Sequence, residues 1–126
     1  MMNRRRQTEA TQRAAERRQR EDDAVRLAEV VPHLKSLRIE IEERRQGSRI
    51  PEASHIRHVV AHAPALFVLQ CCDSQCRDGG HDITGSVLAA LRGGATRFEG
   101  EDECCGHVGS ASCGRVLRYV LIATYE

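Results

Sequence analysis

The chain has no tryptophan and only four phenylalanine and tyrosine residues, Phe67, Phe98, Tyr119 and Tyr125. A core must therefore be built from Leu, Val, Ile and Ala, at roughly 25 cal/mol per Å² of apolar surface buried. The 126 residues give room for one domain plus an appendage. A body below about 100 residues buries little surface, so a staple would help it. Long hydrophobic runs are also missing. None approaches the roughly 18 apolar residues of a membrane-spanning helix. No apolar run follows Arg4, Arg5 and Arg6 either, so an ordinary secretory signal is not expected. The expected location is cytoplasmic, where clustered cysteines more often bind metal or do chemistry than form disulfides.

Strong net charge is absent too. The formal total is +1, which gives no overall pull on a polyanion. The average hides an asymmetry. Residues 1–26 hold eight arginines against five acids, and residues 71–126 hold five arginines against eight acids. Residues 1–23 are polar and rich in Arg, Glu and Gln, with Ala10, Ala14 and Ala15 supplying helix propensity. They are expected to form a flexible or helical arm that packs little against the rest. Such an arm suits a macromolecular partner, protein or nucleic acid. Arginine matches phosphate, although no aromatic is interleaved to stack on bases.

From residue 24 onward the pattern predicts one α+β domain. Leu27, Val30, Val31 and Leu34 share a helical face. Leu37 to Glu42 alternates strictly between apolar and polar, which predicts a half-buried strand with Arg38, Glu40 and Glu42 outside. Residues 45–55 read as a loop. A second extended stretch follows from about Ile56 to Cys71, where Pro64 suggests an edge position or a bulge; its last part, residues 64–71, reads as a central strand, because Ala65 to Leu69 is apolar on both faces. Asp82 to Arg92 predicts a short helix capped by Asp82 or Thr84 and ended by Gly93 and Gly94. Residues 95–100 and 115–125 complete a mostly antiparallel four-stranded sheet, with residues 115–125 as its longest strand and set inside it. His55, His58 and His62 fall on a stretch expected to be extended, which scatters them.

No cysteine precedes residue 71, and the double C-x2-C signature is absent. What is present is two clusters. The first is Cys71, Cys72 and Cys76, with His81 nearby; the second is Cys104, Cys105 and Cys113, with His107. Thiolates drawn from two loops are the donor set of tetrahedral Zn²⁺. The simplest choice takes two from each loop: Cys71 and Cys76 with Cys104 and Cys113. Adjacent cysteines usually point apart, which leaves Cys72 and Cys105 as alternates, along with His81 and His107. Gly79, Gly80, Gly106, Gly109 and Gly114 would let backbone curl around a small ion. An iron–sulfur cluster uses the same donors, but plant-type ferredoxin spacing needs a cysteine where Gly79 stands. Free thiols and disulfides are the remaining states. A catalytic cysteine would need a low-pKa thiol beside a base, and the acids Asp73, Asp78, Asp102 and Glu103 oppose that. The sequence therefore favours a non-catalytic, zinc-stabilised module over a thiol or iron–sulfur redox protein.

Overall fold

The computed structural model describes residues 2–126, with side chains from Thr11 onward. Helix α1 spans Met2–Asp23. Its Arg, Gln, Glu and Ala content is strongly helix-forming, and Gln19 bonds Asp23 one turn on at 3.1 Å. Ala14, Arg17 and Glu21 are half-buried, while its other residues from Thr11 to Asp23 are exposed. Exposed ion pairs at 3.9 Å link Arg13 to Asp78 and Arg20 to Asp82; such pairs hold a helix only weakly.

A single turn, α2 (Leu27–Val30), follows. The anticipated apolar face is present, since Leu27, Val31 and Leu34 are buried and Val30 packs against them. The helix is shorter than the periodicity implies. Arg26 is extended and bridges to Pro64, and Leu34 already belongs to the next strand. Pro32 cannot donate to a longer helix.

The body is α+β. Its main sheet contains β1 (Leu34–Arg44), β2 (Ala53–Val59), β5 (Arg97–Glu103) and β8 (Val116–Tyr125). The spatial order is β2-β1-β8-β5, and every pairing is antiparallel. Two-residue strands β3 (Val68–Leu69) and β4 (His81–Asp82) form a separate ribbon, as do β6 (His107–Val108) and β7 (Ala111–Ser112). In the centre, Leu37 faces Ala123, Ile39 faces Leu121 and Ile41 faces Tyr119. These residues line one face and are all buried. Helix α3 (Thr84–Arg92) covers that face with Val87 and Leu91, joined by Leu27, Phe67 and Ile83. On the same face, toward the β5 edge, the Tyr119 ring lies directly over Gly100, where a Cβ would collide with it.

Helix α3 begins and ends largely as its sequence implies. Asp82 Oδ1 accepts the Thr84 amide at 3.1 Å. The Thr84 hydroxyl is used elsewhere, accepting the Phe67 amide at 2.8 Å. At the other end the Ala95 amide reaches Ala90 O at 3.0 Å and the Gly94 amide reaches Leu91 O at 3.1 Å. With Gly94 at φ +75°, that is a Schellman closure.

Three strand boundaries differ from the sequence pattern. Residues 64–71 are not a central strand; only Val68 and Leu69 pair, with the β4 ribbon. The second strand of the main sheet is instead 53–59, which takes in the end of the expected loop 45–55 and the start of the stretch expected to be extended from about Ile56. The reason is burial. Strand β2 lies at the edge with exposed side chains on both faces, so it has no alternation to read. Ala65 to Leu69 is apolar because it packs on the core face, where Phe67 is fully enclosed. The third strand also runs further than 95–100, to Glu103, and β1 exceeds β8 in length by one residue. Among the described residues, no helix is long and apolar enough to cross a membrane.

Candidate metal centre

Two loops meet at one end of the sheet. The first runs from the end of β3 to the start of β4 and is closed at its base by the Leu69–His81 pairing. Within it Asp73 makes a tight turn: its carboxylate accepts the Gln75 amide at 2.9 Å and its carbonyl the Cys76 amide at 3.1 Å. That turn carries Cys76 back toward Cys71. The second loop joins β5 to β8, whose last pair is Glu103 with Val116. The Cys104 amide crosses this base to Arg115 O at 2.8 Å, and the Cys113 amide reaches Gly106 O at 2.8 Å. The loops are sewn together by a reciprocal pair of bonds between Arg77 and His107, at 2.8 and 2.9 Å.

This arrangement gathers the sulfurs of Cys71, Cys76, Cys104 and Cys113 within 4.8 Å of one another. The Cys71–Cys113 and Cys76–Cys104 separations are both 3.6 Å. Four thiolates on one Zn²⁺ at about 2.3 Å define a tetrahedron with edges of about 3.8 Å, so this group could hold a metal ion. Cys104 is fully buried, and its sulfur accepts the Gly80 amide at 3.4 Å. The four alternates are placed elsewhere. Cys72 and Cys105 are exposed, His107 is an exposed residue of β6, and His81 is buried but turned to a carboxylate.

Two glycines are required by close approach. A Cβ on Gly79 would stand 2.5 Å from the sulfurs of both Cys76 and Cys104. A Cβ on Gly106 would strike the Cys76 sulfur and lie 2.7 Å from Arg77 O. Backbone therefore replaces side chain wherever the sulfurs converge. Gly106→Ala should weaken metal binding by at least the roughly 10–100-fold seen when ligand-supporting residues are lost. Gly85→Ala, where nothing lies within 4 Å, should leave it unchanged. Competition against a chromogenic chelator measures both. Equal affinity in the two variants would refute the crowded cradle.

The thiols are electrostatically unequal. Burial pushes the Cys71 thiol up to about 11, and burial with the neighbouring sulfurs raises Cys76 further. Burial and the Glu43 carboxylate push Cys72 up to about 12. Cys113 goes the other way. Burial opposes its ionisation, but the Arg115 amide and guanidinium outweigh this and bring it down to about 7. Arg115 Nη1 donates to the Cys113 sulfur at 3.8 Å. The same guanidinium is fixed by Glu52 at 2.8 Å and Asp73 at 2.9 Å, which holds the Glu52 carboxyl below its usual range.

Behind the first loop lies a buried polar group that the sequence reading passes over. Glu43 Oε2 accepts the Cys72 amide at 2.7 Å. Its other oxygen faces His81 Nε2 at 3.7 Å, and His81 Nδ1 bonds Asp102 at 2.8 Å. Glu43, His81 and Arg115 are the buried polar residues of the body. The signal for Glu43 is present in the alternation. Leu37, Ile39 and Ile41 point inward, and one more step of two places Glu43 on the same face.

Among the described residues, no imidazole bonds a cysteine sulfur. The four gathered sulfurs are donors that could hold an ion. Comparison with protein-family models, curated proteins and solved structures finds no match to this chain.

Proposed function

We propose that the chain is a small, non-catalytic module whose fold is stapled by one Zn²⁺ on Cys71, Cys76, Cys104 and Cys113. The observation that carries this reading is the four-sulfur group itself: four sulfurs within 4.8 Å of one another, drawn from two loops, with glycine backbone packed against them. All four positions of a tetrahedral ion would be filled by protein, which is the pattern of a structural site rather than an open catalytic one. The compact sulfur spacing also favours a single ion over an iron–sulfur cluster, whose inorganic sulfides spread the thiolates apart. The module would act in the cytoplasm and engage a macromolecule through α1, whose Arg13, Arg18 and Arg20 are exposed.

Metal analysis of the purified chain tests the staple. One zinc per chain in a colourless sample is expected. A brown sample that bleaches with dithionite would move the site to iron–sulfur redox chemistry. The proton balance adds a second readout. Without metal, the raised Cys71 and Cys76 keep their protons at neutral pH, whereas Cys113 begins to ionise near 7. Binding must displace those protons, so acid should release the ion. Calorimetry in buffers of different ionisation enthalpy should show protons leaving on binding; none released would contradict the thiolate set. For Cys71 in the metal-free chain the sign reverses. The folded pKa of Cys71, about 11, lies above its ordinary 9.0, so that contribution is present below pH 9 and is lost as pH rises through 11.

For the arm, the test is the salt dependence of nucleic-acid binding. Removing residues 1–23 should abolish the slope of affinity against salt. An unchanged slope would assign the arm to a protein partner instead.

A further inference from the structure

The main sheet ends in two unlike edges. Strand β5 carries Glu99, Glu101 and Glu103 along one face after Arg97, with Asp102 on the other face. Strand β2, at the other edge, reads Ala-Ser-His-Ile-Arg-His-Val and has Arg57 as its one fixed charge. Natural sheets blunt their edges with charge, proline, bulges or cover. β5 is blunted by its acids. β2 has no proline and no bulge: its register with β1 runs unbroken from Leu37–Val59 to Glu43–Ala53. Among the described residues, no strand pairs with its outer side. Apolar exposure gathers there as well. Ile50 is 76% exposed, Ile56 58% and Val60 54%, all on β2 or within three residues of its ends.

We propose that β2 pairs antiparallel with β2 of a second copy of this chain, about a two-fold axis near Ile56, to give one continuous eight-stranded sheet. The strand's own charge selects this occupant. In an antiparallel self-pair each residue faces one from the identical strand, and like charges placed opposite one another destabilise the pair. A β5 self-pair would set a row of carboxylates against its copy. A β2 self-pair sets Ile56 beside Ile56, flanked by Ser54, His55 and His58, with Arg57 facing the copy's His55. The edge supplies seven residues of ladder, about 24 Å at 3.4 Å each. The contact is isologous, so it closes at two chains. It does not depend on the metal reading, since β2 lies at the sheet edge opposite to β5 and contributes no sulfur.

Sedimentation equilibrium of the full chain tests this. The mass should rise from one chain to two between about 1 µM and about 1 mM. Ile56→Lys should weaken the dimer at least about tenfold, while Glu101→Lys on the other edge should leave it intact. Ile56 is exposed, so a melting temperature equal to wild type will show that the variant is folded. Amide exchange on the wild-type chain gives an independent measure, because outward-facing β2 amides should exchange more slowly as concentration rises. A one-chain mass throughout, a dimer indifferent to Ile56→Lys, or assembly beyond two chains would each overturn the proposal.

Discussion

Cys104→Ser is expected to abolish metal binding and cooperative unfolding together. Its sulfur is fully buried, lies 3.6 Å from Cys76 and accepts the Gly80 amide. Loss of one thiolate from a four-thiolate site leaves an ion that this small body cannot hold. Metal affinity in such a domain is folding free energy, on the order of 10 kcal/mol in small zinc peptides. Marginal domains have about 5–15 kcal/mol in total, so little would remain. Cys71→Ser, Cys76→Ser and Cys113→Ser should behave alike, because each supplies one corner of the same group. Cys72→Ser and Cys105→Ser should be mild, since both side chains are exposed. His81→Ala should keep the metal while lowering stability, because the imidazole is bonded to Asp102 rather than gathered with the sulfurs. The measurements are zinc content and a thermal melt for each variant. Wild-type zinc in all four ligand variants would eliminate the site. Loss of zinc in the Cys72 and Cys105 variants instead would shift the ligand register by one.

Where burial and pattern coincide, the fold is legible from the residues. β1 and β8 each bury one face, and their alternation gives both the strands and the inward side chains. Helix α3 is bracketed by Asp82 and by Gly93 with Gly94, so its limits are legible as well. β2 is legible only in part: the stretch from about Ile56 reads as extended, but Ser54, His55, Arg57 and His58 belong to an edge strand with no buried face to mark its start or its place in the sheet. Its ladder to β1 is backbone, which leaves no trace in side-chain type. The segment with Phe67 misleads for the opposite reason: burial over the core face makes it look like an interior strand. The convergence of the two cysteine clusters is anticipated by their two-plus-two grouping, but not its route, since the first loop leaves the β3–β4 ribbon rather than a strand of the main sheet. The surroundings are less accessible. Arg115 reaches the Cys113 sulfur only because Glu52 and Asp73, far apart in sequence, fix its guanidinium. Glu43 is readable only if the alternation of β1 is carried one step beyond its last apolar residue.

That alternation sets the other large expected effect. Leu121→Asp should unfold the body, and Ile122→Asp, one residue along, should not. Leu121 is 2% exposed and faces Ile39 on one side and Phe98 on the other, at the centre of the core face. A carboxylate there has no cation to meet. The buried cations nearest in kind are on Arg115, which is already committed to Glu52 and Asp73. An uncompensated buried charge costs about 3–5 kcal/mol, and the lost leucine adds a cavity penalty. Ile122 sits on the opposite face, half-buried and cross-strand from Arg38 and Arg97. An aspartate there lies between two guanidinium-bearing positions and stays in contact with solvent. Denaturant titration followed by far-ultraviolet circular dichroism separates the two variants. Leu121→Asp should show no cooperative transition even with zinc supplied. Ile122→Asp should keep a transition with the wild-type slope and a midpoint only modestly lowered. The reverse outcome would mean that β8 is threaded one residue out of register, which would turn every side chain of that strand to the other face of the sheet.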